Sequence, residues 1–215
     1  MSHLIQDSIR DGSLVLYHDY RAGHALDLSG NGNHGVVVND GWFDRNGFNT
    51  RYLGDEAIQV AHSSSINITT FTVVGLITDK RIAQRAEAPY LARKQSSAGN
   101  LSWGIYLNEL SSPNLVNVLA ASSSFWVMAK AHAGVSCYGC NIETGASALP
   151  LYTDGRLEDA SLAGAITVNT NTEDLFIANY YNLNLGLGRT ISSFLMFNKL
   201  LTADEHRQAY LELLK

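Results

Sequence analysis

Short apolar runs, separated by Gly, Asn, Asp and Ser, recur along the whole chain. In the segment 13–20 (SLVLYHDY), Leu14, Leu16 and Tyr20 lie on one side of a pleated strand. Runs of the same kind follow at 34–38, 57–60, 71–78, 89–93, 101–107, 115–120, 125–131, 149–153, 175–178 and 190–197. Dipeptides such as Asp154-Gly155 tolerate a positive φ and mark places where the chain reverses. The pattern predicts a protein built of many short strands.

Two of these runs, 71–77 and 191–197, are apolar at both sets of alternating positions. Such a strand lies in the middle of a sheet with other elements packed against both of its faces. One segment predicts a helix, because Thr202 and Glu205 form a capping box and apolar residues then recur every three or four positions. We therefore expect an all-β, two-sheet antiparallel sandwich of jelly-roll connectivity with a short C-terminal helix.

The composition of the 215 residues excludes several classes of protein. With 46% hydrophobic and 16% charged residues the chain can bury a sizeable core, which excludes wholesale disorder. The net charge is -5 and the basic residues are scattered, so we expect no nucleic-acid partner. No apolar stretch reaches the roughly 18 residues that span a bilayer, so we expect no membrane partner.

The chain shows no linker or equal-length repeat, so we expect one domain at 13–215, preceded by an N-terminal arm at 1–12. The arm carries Asp7, Arg10 and Asp11 where a secretion signal has a continuous apolar core. We expect the protein to be cytoplasmic during synthesis and to reach any exterior site without a cleaved signal peptide, for example by assembly into a particle that is released on lysis.

The order of several motifs resembles that of one family. The segments 14–20 and 27–35 are similar to the start of a LamG-like, concanavalin A-like jelly roll. Segments 71–77, 91–94 and 102–107 are similar to the strands that follow in that family, 151–156 (LYTDGR) resembles its YVDG hairpin, and 191–205 resembles its closing strand and terminal helix. The resemblance covers nearly the whole chain and implies the fold. Lectins, glucanases, adhesion modules and structural domains share this fold, so function has to be argued from sites.

Two clusters have the side chains of a sugar-binding site. Such sites combine an aromatic face, on which a sugar ring stacks, with amide and carboxylate groups that bind its hydroxyls. One cluster is Trp42 with Asp44, Arg45 and Asn46, and the other is the loop that begins with Asn179, Tyr180, Tyr181 and Asn182. We predict that these residues bind a ligand. The alternative is that the rings cover the edges of the sandwich.

A third cluster has part of the pattern of a calcium loop. Asp27, Ser29 and Asn31 stand at its first, third and fifth places, with Gly32 at the sixth. The twelfth place, where such a loop has a bidentate glutamate, is Val38. Further oxygens would have to come from elsewhere in space, as they do in calcium-binding members of the resembled family. Calcium is the one cofactor that this pattern leaves open, and the alternative is that these side chains cap turns.

Signatures of catalysis are sparse. Glucanases of the resembled fold place carboxylates in an E-x-D-x-x-E run on one strand, and this sequence has no such run. The adjacent acidic pairs at 158–159 and 173–174 would point to opposite faces of a strand. Cys137 and Cys140 form a C-x-x-C without a following helix, which favours free thiols over a loop disulfide. We expect the protein not to be an enzyme.

The sequence therefore favours a non-catalytic jelly-roll module with one of two roles, which need not exclude each other because a decoration subunit can also carry a glycan-binding loop. The first is a structural role in a phage virion, as a capsid decoration or tail-associated subunit that binds capsid or tail proteins and forms homo-oligomers. The second is a stand-alone, lectin-like module that binds surface glycans. A glycoside hydrolase of the same fold is the third hypothesis. In both favoured roles the protein is displayed on a virion or on a cell-exterior surface, and the virion role rests on analogy.

Overall fold

The computed structural model describes residues 3–51, 54–78, 90–95, 101–108, 115–120, 123–125, 136–159, 165–179 and 187–215. The strands in these ranges are β1 (Leu14–Asp19), β2 (Gly35–Val38), β3 (Trp42–Asp44), β4 (Gly47–Asn49), β5 (Ala57–Val60), β6 (Thr70–Ile77), β7 (Tyr90–Gln95), β8 (Leu101–Asn108), β9 (Leu115–Ala120), β10 (Ser123–Phe125), β11 (Ser136–Glu143), β12 (Leu151–Thr153), β13 (Arg156–Asp159), β14 (Leu175–Ile177) and β15 (Thr190–Phe197). The helices are α1 (Leu4–Arg10) and α2 (Ala203–Leu213), and 3₁₀ turns lie at Tyr20–Ala22 and Ser64–Ile66.

The described strands form two antiparallel sheets that face each other. The first sheet has the order β13-β12-β11-β6-β15-β4-β3, and β1 also pairs with β15. The second sheet has the order β10-β9-β8-β7-β14-β5-β2. In each order three of the six neighbouring pairs are not consecutive along the chain, which gives the crossovers of jelly-roll connectivity. The predicted two-sheet sandwich with a short C-terminal helix is confirmed. Neither helix in the described ranges is long and apolar enough to cross a bilayer.

Strands β6 and β15 are buried on both faces, as the apolar residues at both sets of alternating positions predict. On β6, Phe71 and Val73 point into the core between the sheets, while Val74 and Leu76 point to the opposite side. The interior core includes Trp103 of β8, whose ring centroid lies 5.3 Å from that of Phe71. Burying two faces removes more apolar surface from water than burying one, so these two strands contribute to both apolar clusters. They form the centre of the sandwich.

The outer face of the first sheet is covered by both helices. Leu4 and Ile5 of α1 and Ala209 and Leu213 of α2 belong to one apolar cluster with the outward side chains of β6. An arm was expected in this region, and the structure has a seven-residue helix there that packs against α2. A helix this short is marginal on its own, so tertiary contacts supply its stability and local sequence carries little signal of it.

A side chain of α2 holds the start of α1. The backbone N–H groups of Leu4 and Ile5 donate to the two carboxylate oxygens of Glu212, at 2.8 and 3.0 Å. These N–H groups stand in the first turn of α1, where a helix has no internal acceptor for them. Glu212 therefore satisfies the N-terminus of α1 from 200 residues further along the chain.

Helix α2 is attached to the sheet through a buried imidazole. The ring of His206 stacks on Tyr152 with centroids 3.7 Å apart, and its Nε2 lies 2.9 Å from Oδ1 of Asn141. Position 139 must be glycine, because a Cβ there would come within 2.5 Å of Nδ1 of His206. Burial lowers the pKa of His206 to about 3, so the imidazole is neutral near pH 7.

The two cysteines lie on opposite faces of β11. Cys137 belongs to the cluster under the helices, whereas Cys140 belongs to the core between the sheets. Both are free and buried, and burial raises the pKa of each thiol. Side chains on opposite faces of one strand cannot form a disulfide, so the sulfurs act as small apolar groups.

We predict that replacing His206 by phenylalanine flattens the acid side of the stability profile. The imidazole binds a proton in the unfolded chain below about pH 6.5 but in the folded protein only below about pH 3. Each pH unit by which the pH falls between these values therefore lowers the free energy of unfolding by up to about 1.4 kcal/mol. Urea unfolding of both proteins from pH 7 to pH 4 measures this. Parallel profiles would assign the acid sensitivity to other groups.

We predict that Glu212→Ala detaches α1 from α2 while leaving the sandwich folded. Losing a charged acceptor of two backbone N–H groups costs about 1 to 3 kcal/mol, so hydrogen exchange at Leu4 and Ile5 should quicken by about tenfold or more. Glu212→Gln keeps one acceptor oxygen and should give an intermediate rate. Unchanged exchange in Glu212→Ala would show that apolar contacts alone hold α1.

Candidate functional site

One aromatic side chain stands out on the described surface. Trp42 is 46% exposed, whereas Trp103 is fully buried in the core. Among the described residues, the other large apolar side chains with this degree of exposure are aliphatic. An exposed indole offers a flat apolar face next to water, which is the part of a sugar-binding site that sequence patterns identify least well.

Trp42 is held in place by aromatic residues on the opposite side of its hairpin. Strands β3 and β4 pair with Trp42 opposite Asn49 and Phe43 opposite Phe48. The rings of Phe43 and Phe48 lie 5.3 Å apart, and Tyr20 packs on both at 6.3 and 6.1 Å. Since side chains alternate across a strand, this inward packing directs Trp42 and Asp44 to the outside.

The turn of the hairpin is fixed by short polar contacts. Oδ1 of Asp44 accepts the backbone N–H groups of Asn46 and Gly47, at 2.7 and 3.2 Å. The backbone oxygen of Asn46 accepts the hydroxyl of Ser192 on β15. Gly47 has φ 137°, and a Cβ at this position would lie 2.1 Å from the backbone oxygen of Ile191. The turn is therefore pressed against β15 and has its shape before any ligand arrives.

Charged groups flank the indole. Nη2 of Arg51 lies 3.7 Å from Oδ2 of Asp40, whose side chain is 91% exposed. Nε of Arg51 donates to the carboxylate of Glu56, and its backbone N–H donates to the same carboxylate at 3.1 Å. The side chain of Glu56 is completely buried, so it anchors Arg51 to the body of the protein. An arginine anchored at Glu56 therefore pairs with the exposed carboxylate of Asp40, two residues before Trp42.

The structure brings together one of the two predicted ligand-binding clusters. Trp42, Asp44 and Asn46 share the exposed hairpin, as proposed from their sequence. Asp40 and Arg51, which pair with each other next to this hairpin, were not predicted from the sequence. The acidic residues two positions before and after Trp42 were the available signal. We call these five residues the Trp42 site.

The second predicted cluster is described only at its first residue. Asn179 is fully buried, and its Nδ2 donates to the backbone oxygens of Gly54 and Glu56, both at 2.9 Å. Its side chain therefore supports the segment that holds Arg51 and does not face solvent. The other predicted residues of this cluster, Tyr180, Tyr181 and Asn182, lie outside the described residues.

The cluster predicted as a calcium loop is a hydrogen-bonded turn in this structure. The Asp27 carboxylate accepts backbone N–H groups from Tyr17, Ser29 and Asn33 and the hydroxyl of Ser29, at 2.9 to 3.0 Å. Nδ2 of Asn31 donates to Ser29 Oγ at 3.0 Å. Burial acts to raise the pKa of Asp27, but these hydrogen bonds outweigh it and hold the pKa below its ordinary value. No group of three or more His, Cys, Asp or Glu side chains in the described ranges is arranged to hold a metal ion.

The acidic pair at 173–174 also serves the fold. The Asp174 carboxylate accepts Nε2 of Gln59 at 2.6 Å and the backbone N–H of His62 at 2.8 Å. The ammonium of Lys94 donates to the backbone oxygen of Glu173 at 2.5 Å. Burial lowers the pKa of Lys94 to about 8, although both acidic residues act to raise it. This cluster joins the strands of the second sheet to the loop before β14.

Comparisons with known proteins identify the fold. No protein-family profile and no curated protein matches the sequence. Domain 4 of AbnA, an extracellular GH43 arabinanase from Geobacillus stearothermophilus, was solved with arabinotriose and is similar to this chain with a TM-score of 0.69 and 10% identity. The match covers 94% of this chain and 98% of that domain.

Botulinum neurotoxin structures are similar as well. The binding domain of neurotoxin DC, solved with rat synaptotagmin II, matches with a TM-score of 0.74 and 16% identity over 94% of this chain and 52% of its own. A neurotoxin type C structure, whose subject is cell entry through two ganglioside molecules, matches with a TM-score of 0.74 and 15% identity over 97% and 53%. This chain spans about half of each neurotoxin chain. At these identities the likeness establishes the β-sandwich fold alone.

We predict that neither calcium nor a chelator changes the melting temperature. Both carboxylate oxygens of Asp27 already accept protein hydrogen bonds, so a metal ion would have to displace them. Thermal melts in calcium and in chelator test this, with Asp27→Asn as the control for the role of the carboxylate. A melting temperature that rises with calcium in the native protein but not in Asp27→Asn would show that calcium binds at Asp27.

Proposed function

We propose that this protein is a non-catalytic carbohydrate-binding module whose Trp42 site binds an oligosaccharide. The observation that carries the proposal is the half-exposed indole of Trp42, flanked by the carboxylates of Asp40 and Asp44 on a rigid hairpin. A sugar ring has one apolar C–H face and a rim of hydroxyls. An indole contacts the first, and carboxylate and amide groups bind the second.

The rigidity of the hairpin favours binding. Asp44 uses Oδ1 in the turn, so the orientation of its carboxylate is set, and Oδ2 accepts no hydrogen bond from a described residue. The indole is directed outward by the packing of Phe43 and Phe48. A preformed site loses little conformational entropy when a ligand binds. A flexible loop loses more and therefore binds the ligand less tightly.

The likeness to the arabinanase domain supports the proposal. That domain is matched over nearly its whole length and was solved with a trisaccharide. The neurotoxin with its two ganglioside molecules is matched over about half of its chain, so it supports glycan recognition only in general terms. The absence of catalysis remains our proposal, supported by the structural use of Asp44 in the turn and of Asp174 in the second sheet.

Display in several copies fits a site of this kind. A single exposed indole with a few polar neighbours binds weakly, and linking several sites raises the overall affinity without any new contact. We therefore propose that the protein acts as a homo-oligomer or as a subunit arrayed on a surface. A virion surface, with capsid or tail proteins as partners, is the version that the sequence favours, and a cell-exterior surface is the alternative.

We predict that Trp42→Ala lowers oligosaccharide affinity by about tenfold or more, because about 1.4 kcal/mol of stacking corresponds to a factor of ten. The measurement is binding to an immobilised panel that contains arabinotriose, lactose, xylotriose and sialyllactose. Leu157→Ala is the matched control, since Leu157 is 56% exposed on β13 at the opposite end of the first sheet.

The melting temperature of Trp42→Ala should stay close to that of the native protein, because the inward residues of the hairpin are unchanged. Binding that survives in Trp42→Ala, or that is lost equally in Leu157→Ala, would contradict the assignment of the site.

A further inference from the structure

The chemical class of the ligand can be inferred from the charges around Trp42. Asp40 and Asp44 are each two residues from Trp42, and two residues of chain span at most about 7 Å. The backbones of Asp40 and Asp44 therefore each lie within about 7 Å of the backbone of Trp42, a distance similar to the length of one sugar ring. Between residues 39 and 56 the sequence has four acidic residues, Asp40, Asp44, Asp55 and Glu56, and two basic ones, Arg45 and Arg51. The local net charge is negative.

Of the two arginines in this stretch, Arg51 is already committed to the protein's own acids, and Arg45 alone does not offset the remaining acidic residues. Arg51 donates to buried Glu56 through its Nε and its backbone N–H, and its Nη2 faces Asp40. Its positive charge is therefore offset by two carboxylates. An incoming carboxylate would have to compete with both of them, and one of the two is fixed in the interior.

The acidic groups, in contrast, face solvent. The side chain of Asp40 is 91% exposed, and Asp44 keeps Oδ2 outside the hydrogen bonds of its turn. Carboxylate oxygens only accept hydrogen bonds, and sugar hydroxyls can donate them. A neutral or hydroxyl-rich sugar ring on the indole can satisfy both carboxylates, whereas a sugar acid brings a third negative charge among them.

We infer that the Trp42 site selects uncharged oligosaccharides and discriminates against uronic and sialic acids. The inference rests on the proposed function and adds the class of ligand to it. Two carboxylates, each about 7 Å in water from the charge of an acidic sugar, together weaken its binding by about 5- to 10-fold at low ionic strength. The effect shrinks as salt shortens the screening length from about 10 Å at 0.1 M to about 3 Å at 1 M.

The test compares probes that differ in charge. Trigalacturonate and its methyl ester have the same sugars and linkages, and lactose with sialyllactose adds a second pair to a panel of neutral arabinan, xylan and galactan trisaccharides. Affinities are measured at low and high salt for the native protein, for Trp42→Ala and for the double variant Asp40→Asn with Asp44→Asn. Asparagine keeps the acceptor oxygen that the turn needs, so the hairpin should fold. Asp204→Asn on α2 is the control for loss of charge elsewhere.

We expect Trp42-dependent binding in which each neutral probe binds more tightly than its acidic partner, by about 5- to 10-fold at low salt. High salt and the double variant should both narrow this gap, while Asp204→Asn should preserve it. If the double variant does not fold, Asp40→Asn alone serves, since this side chain is almost fully exposed.

The two proposals fail in different ways. Trp42-dependent binding of acidic probes as tightly as, or more tightly than, their neutral partners would overturn the selection for uncharged ligands and leave the proposed function intact. A gap that does not respond to salt or to the double variant would also overturn it, because the discrimination would then not be electrostatic. Binding of no probe through Trp42 would overturn the proposed function and this inference with it.

Discussion

The structure depends on two strands, β6 and β15, that are buried on both faces. Their inward side chains build the core between the sheets, and their outward ones form the surface on which α1 and α2 pack. Because β15 pairs with β6 on one side and with β4 and β1 on the other, it also carries the hairpin of the candidate site. Gly47 lies so close to the backbone of β15 that there is no room for a Cβ at this position, and the hairpin is packed directly against β15.

Much of this architecture could be predicted because it depends on the spacing of apolar residues. The capping box of α2 is present as expected, with Thr202 and Glu205 bonding each other's backbone N–H groups. Helix α1 could not be predicted, since its stability comes from Glu212 and from apolar contacts that are distant in sequence. Exposed Trp42 differs from buried Trp103 in its polar sequence neighbours, which is why Trp42 could be predicted as a ligand-binding residue before the structure.

The residues of the site likewise include some that are close in sequence and others that only the fold brings together. Trp42, Asp44 and Asn46 are close in sequence, so their grouping was visible before the structure. Arg51 faces Asp40 while buried Glu56 holds it, and buried Asn179 in turn binds the backbone on either side of Asp55. Interior hydrogen bonds thus hold the arginine that pairs with an exposed carboxylate of the site. Rigid support from below makes a shallow site selective, because the ligand meets fixed charges.

The most direct measurement is the structure of the protein with one of its oligosaccharides bound. We expect a sugar ring lying flat on the indole of Trp42, with hydroxyls donating to Asp40 and Asp44. Electron density for the sugar on any other surface, with the Trp42 site open to solvent, would contradict the assignment of this site.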